Sequence, residues 1–157
     1  MKKLSTLFVC MLMIVTILPS TAMAGDEENP EITDDTGDAF GYIDIVSIWF
    51  YEQQETPEFL YVSMKINEPS EFKFQQTFAV FWRYNSIRYA CSLHMGFSLT
   101  QWKHFTAGKD DNKEVEHIDI NGTYHVDSGI ITWIIPKVYI GDPQHGDVLT
   151  NTWSNAF

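Results

Sequence analysis

From about residue 41 onward, apolar and polar residues alternate with a period of two, and no stretch sustains the three-and-four spacing of a long amphipathic helix. Phe59–Ile66 is the clearest case: Leu60, Val62, Met64 and Ile66 share one face, and Tyr61, Ser63 and Lys65 the other. The segment 41–51 is apolar on both faces, with Val46, Ile48 and Phe50 opposite Ile45, Trp49 and Tyr51. A strand covered on both sides belongs in a sandwich or at the centre of a crowded sheet. Thr77–Tyr84 and Ile87–Leu93 predict a hairpin around Asn85-Ser86, and 97–105 predicts another strand followed by a polar loop at 107–112. Val115–Ile120 and Thr123–Val126 flank Asn121-Gly122, a dipeptide suited to a type I′ hairpin turn because both of its positions need positive φ.

Asp127-Ser128-Gly129 is a further turn, after which Ile130–Ile135 reads as a strand that Pro136 ends. Val138–Ile140 predicts one helical turn, 141–147 a loop, and Val148–Ala156 a last strand. About nine short strands with no room for a βαβ crossover predict an all-β, antiparallel, jelly-roll-like β-sandwich.

The start of the chain follows a different pattern. Lys2 and Lys3 precede the uncharged run Leu7–Leu18, then Pro19-Ser20 breaks it and Ala22-Met23-Ala24 presents small residues around a cleavage position. This is the order of a secretory signal peptide, and the apolar run is shorter than the roughly 20 residues of a spanning helix. Residues 1–24 are therefore read as a signal peptide and 25–157 as one domain, giving a secreted protein without membrane insertion after cleavage. A retained anchor is the alternative. Cys10 sits inside the apolar run, so a lipoprotein motif does not fit.

Removing residues 1–24 takes two of the 10 Lys+Arg and none of the 21 acids, which moves the net charge from −11 to −13. Such a surface repels phosphate backbones and anionic membranes, so nucleic acid is not expected as a partner. Cys91 is then the lone cysteine, in step with Ile87, Tyr89 and Leu93, and reads as a core residue rather than a bridge or nucleophile.

Four carboxylates make the one candidate metal site. Asp34, Asp35 and Asp38 surround a Gly-containing turn, with Asp44 at the head of a strand. Calcium takes six to eight oxygens on a bent loop, which such a turn supplies, although the spacing is not that of an EF-hand. The same acids also read as ordinary solvated turn residues. A second acidic loop carries Asp142 and Asp147. His117 and His125 are expected on opposite faces, while His94, His104 and His145 stand apart in sequence. The many aromatics suit either strand packing or sugar stacking, and Tyr61, opposite an apolar face, is the ring to watch. No nucleophile elbow, HExxH, P-loop or CxxC occurs, so no catalytic residue is assigned.

Residues 32–39 (Ile-Thr-Asp-Asp-Thr-Gly-Asp-Ala), then Tyr42-Ile43-Asp44-Ile45 and Leu60-Tyr61-Val62, resemble the opening of secreted DOMON and family 9 carbohydrate-binding-module domains. Trp133–Lys137 with Ile140-Gly141 and Gly146-Asp147 is similar to their closing portion. The resemblance implies a non-enzymatic module that binds carbohydrate or another cell-surface component, often with a structural calcium. Haem-binding relatives use Met and His ligands, for which Met64 and Met95 stand here, Met64 reading as core. An extracellular glycan-active enzyme and a structural surface domain without a small ligand are the competing readings. For the processing step the expected outcome is specific. N-terminal sequencing of the exported protein should begin at Gly25, and a product retaining Leu4–Leu18 would instead mean an anchor.

Overall fold

The computed structural model describes residues 25–37, 43–67, 69, 75–97, 101–111 and 114–157. The expected signal peptide and Asp38 lie outside these. Among the described residues ten strands run in chain order: β1 (Ile32–Thr33), β2 (Ile45–Tyr51), β3 (Phe59–Ile66), β4 (Gln76–Tyr84), β5 (Ile87–Phe97), β6 (Gln101–Asp111), β7 (Glu114–Asp119), β8 (Asn121–His125), β9 (Ile130–Pro136) and β10 (Thr150–Ala156). They form two antiparallel five-stranded sheets, ordered β1-β2-β3-β9-β8 and β10-β4-β5-β6-β7. The chain changes sheet after β3, after β7 and after β9, which makes the fold a β-sandwich with one shared core. Among the described residues no helix is long and apolar enough to cross a membrane.

The alternation places the core. Leu60, Val62, Met64 and Ile66 of β3 face Phe78, Val80 and Trp82 of β4 and Tyr89, Cys91, Leu93 and Met95 of β5. Met64 and Met95 are both fully buried packing residues. Burial also pushes the Cys91 thiol well above its ordinary range, as expected for an inert core cysteine. In β2 a register shift between Ile45 and Ser47 turns Ile45 to the core beside Ile48 and Phe50, so it does not share a face with Trp49 as strict alternation predicted. Trp49 is still buried on the outer side, so both faces of β2 are covered.

The Asn85-Ser86 hairpin is present, with φ of 49° and 66° at the two turn residues. The single strand expected over 97–105 is instead the junction of a hairpin, with β5 running to Phe97 and β6 starting at Gln101, and two further expectations fail. The polar segment after Ala107 is not a loop, because β6 continues to Asp111. Ladder bonds to β5 and β7 on either side hold it, Ala107 is fully buried, and the Arg88 side chain meets Asp110. Hydrogen bonding to two neighbours outweighs weak strand propensity here. The Asn121-Gly122 hairpin does not form either. β7 pairs with β6 and β8 with β9, so the chain turns a corner between sheets at Ile120, whose N–H donates to the Phe105 carbonyl at 3.0 Å.

Neither Asn121 nor Gly122 has positive φ. Glycine is needed at 122 for space. A Cβ there would lie 2.2 Å from Cδ1 of Phe105, whose ring covers the position. The expected outcome follows from that contact. Gly122→Ala should lower the chemical-denaturation stability by about 1–3 kcal/mol through overpacking. Much of the loss should be recovered when Phe105→Leu is added, read as a coupling in a double-mutant cycle. Asn121→Ala should be close to neutral, whereas in a genuine I′ turn, with positive φ at both positions, it would be destabilising as well.

Candidate functional site

A half-open cleft of about 260 Å³ lies at the end of the sandwich where β2 finishes and β3 begins. Phe50 and Leu60, from these two strands, meet Val148 and Leu149 from the segment leading into β10. The rim carries Glu31, Glu52, His145 and Asp147. Each rim group is held by the fold. Lys137, itself buried, follows Pro136 at the end of β9 and reaches Glu52 Oε1 at 2.8 Å. His145 Nδ1 lies 3.3 Å from the other oxygen of the same carboxylate. Glu52 thus joins the end of β2 to the 141–149 loop and neutralises a lysine that would otherwise be a lone buried charge.

Asp147 anchors the loop itself. Its Oδ2 accepts the Tyr84 hydroxyl at 2.7 Å and the Gln144 N–H at 2.8 Å. These two donors, the Tyr84 hydroxyl foremost, hold its carboxyl below the ordinary range, and the same contact raises the Tyr84 phenol. Glu31 differs. Burial pushes its carboxyl up, although Oε2 accepts the Phe50 N–H at 2.9 Å and Oε1 the Gly25 N–H at 3.2 Å. Sequence reasoning did not find this cleft. Glu31 and Glu52 lie in polar, unremarkable stretches, and only the chain's return after β9 brings them to 143–149.

The predicted Asp cluster is placed elsewhere. Asp44 precedes β2 while the cleft follows it, so the two acidic loops stand at opposite ends of that strand. Asp44 is only 1% exposed. Its Oδ2 accepts the Gly37 N–H at 2.7 Å and the Asn67 side-chain amide at 3.0 Å, while its Oδ1 is buried without a hydrogen-bond partner among the described residues. Asp34 and Asp35 are exposed, and the Asp34 N–H donates to the Val46 carbonyl at 3.0 Å. Among the described residues no group of three or more His, Cys, Asp and Glu is placed to hold a metal ion.

The histidines are less scattered than their spacing suggests. His94 and His104 are direct cross-strand neighbours on the outer face of the second sheet, with ring centroids 6.4 Å apart. Hydrogen bonds of 3.1 Å join the His94 ring nitrogens to Thr77 and Ser92, and Ser92 continues to Thr106 at 2.7 Å. His104 pairs with Asp119 at 2.7 Å. Burial lowers the His94 pKa, and His104 and His117 add to this. His117 and His125 fall in different sheets, on β7 and β8. Tyr61, the ring singled out as a sugar platform, is buried in a stack with Tyr51 and bonded to Thr56. The exposed tryptophans are instead Trp102 and Trp153, the latter stacked on Phe81 at 3.9 Å between centroids. No protein-family model, no curated protein and no solved structure matches this chain.

Proposed function

We propose that the chain is a secreted, non-enzymatic binding module whose end cleft takes one sugar-sized group of an extracellular carbohydrate. The observation that carries this reading is an open cleft lined by apolar Phe50, Leu60, Val148 and Leu149 together with the polar groups of Glu31, Glu52, His145 and Asp147. A pyranose presents the matching chemistry: a C–H face for the apolar side chains and hydroxyls that donate to carboxylates. At about 260 Å³ the cleft is slightly below the range of drug-sized ligand sites, which suits a single ring or chain end. Binding is favoured over catalysis because the cleft carboxylates are held in place by donors of the fold, which leaves their remaining lone pairs to accept hydroxyls. Both Glu31 oxygens accept backbone N–H groups, Glu52 faces Lys137 and His145, and Asp147 accepts Tyr84 and Gln144. A binding role is also what the resemblance to DOMON and family 9 carbohydrate-binding modules implies.

The exported protein should therefore give hits on a glycan array that calorimetry reproduces. Val148, 74% exposed at the cleft, provides the control. Val148→Trp should fill the site and abolish binding while stability stays within about 0.5 kcal/mol, as for other surface changes. An empty array, or equal affinity in the variant, would remove the cleft from consideration. Turnover of a bound polymer would replace the module with an enzyme.

A calcium-stabilised turn is a second reading, favoured by Asp44. A buried carboxylate with one oxygen left without a donor is costly, and a divalent cation would compensate it. Asp44 would then be one ligand, with Asp34, Asp35, Asp38 or nearby carbonyls completing the set. The role would be structural, tying the N-terminal turn to the head of β2. Calcium at a hundredfold excess over its dissociation constant should stabilise the protein by about 2.7 kcal/mol relative to chelator. Asp44→Asn should erase that difference. Identical melting midpoints in calcium and chelator would leave these acids as a solvated turn.

A further inference from the structure

We propose that cleavage after Ala24 converts the Gly25 nitrogen into an α-ammonium that docks on Glu31, so that export processing completes the wall of the cleft with an ion pair. This rests on the cleavage position and not on the identity of the cleft's ligand. The geometry is already in place. The Gly25 nitrogen lies 3.2 Å from Glu31 Oε1, Gly25 is buried, and the other Glu31 oxygen is fixed by the Phe50 N–H on β2. The approach is close: a Cβ at position 25 would lie 2.3 Å from Glu31 Oε2, so with any other residue the carboxylate would have to shift.

The segment is held in register from both sides. Asp26 Oδ1 accepts the N–H groups of Glu28 and Asn29 at 2.9 and 2.7 Å, closing a turn immediately after Gly25. Glu27 pairs with Lys65 on β3, and β1 pairs with β2 just beyond Glu31. Residue 25 is therefore a fixed start, not the root of a loose tail.

Chemistry supplies the consequence. As a peptide nitrogen, Gly25 offers one N–H without charge. As an α-amine it offers three donors and a full positive charge below its ordinary pKa of about 7.7–8.0. The charged groups around Glu31 make that charge valuable. Asp26 on its own segment is acidic, and the cleft wall contributes Glu52, Asp147 and His145, with Lys137 already paired to Glu52. Burial and Asp26 both disfavour the Glu31 anion, and an ammonium at 3.2 Å would favour it. Pairing raises the amine's folded pKa. Its contribution to stability is then complete below the unfolded pKa and is lost as pH rises through the folded one.

The test uses the full chain, exported and purified, with intact mass fixing its first residue. The pH dependence of α-amine acylation reports the amine's pKa, in the native protein and in Glu31→Gln. The expected native midpoint lies about one unit above the ordinary range, making acylation near neutral pH about tenfold slower than in the variant. The variant's midpoint should return to the ordinary range. A native midpoint in the ordinary range would overturn the proposal, as would an equally raised midpoint in Glu31→Gln or a first residue other than Gly25. If the variant fails to fold, the native midpoint alone decides.

Discussion

Two edge-to-face aromatic contacts carry the packing of one sheet on the other, and much of the molecule is arranged around them. Phe50 of β2 meets Trp82 of β4 with centroids 5.7 Å apart at 78°, and Phe105 of β6 meets Trp133 of β9 at 6.5 Å and 75°. Each pair joins opposite sheets, and such contacts add about 0.5–1.5 kcal/mol beyond the area they bury. The described residues contain no cross-link to share that load, since Cys91 is a free thiol in the core. The second contact explains Gly122. Position 122 stands directly opposite Trp133 on β9, and the Phe105 ring occupies the space a side chain would need.

These large rings also carry a cost. Trp82 and Trp133 are fully buried, and the indole N–H of each has no hydrogen-bond partner among the described residues. An unsatisfied buried donor costs about 1–3 kcal/mol. Dispersion and apolar burial of two such rings across the sheet interface offset that cost, because replacing a core Trp by Ala typically loses about 3–5 kcal/mol. Shape has been favoured over polar satisfaction at these two positions.

At the sandwich ends, acids act as tethers for backbone and loops. Asp44 collects donors from Gly37 and Asn67 at one end of β2, and Glu52 holds Lys137 and His145 at the other. Asp147 holds the 141–147 loop against Tyr84. A chain with net charge −11 needs its carboxylates placed where donors reach them, because clustered anions without partners oppose compaction. The cleft is a product of this tethering: the loop is fixed at its polar edge, and Val148 stays exposed beside the buried Phe50 and Leu60.

The sequence by itself determined the all-β class, the limits of β3, the Asn85-Ser86 turn, the turn before β9 and the buried role of Cys91. All of these follow from local alternation, turn stereochemistry or apolar context, which act over a few residues. Tertiary structure decided the rest. Whether Asn121-Gly122 turns within one sheet or crosses to the other depended on β6 and β9 as partners and on the space that Phe105 takes. Ala107–Asp111 became strand only because neighbours on both sides supplied hydrogen bonds. The pairing of His94 with His104 is a matter of register, invisible in their ten-residue separation. Glu31, Glu52 and Asp147 became one site because strand order folds the chain back on itself. Sequence spacing encodes which face a side chain takes, but not which distant residue it meets there.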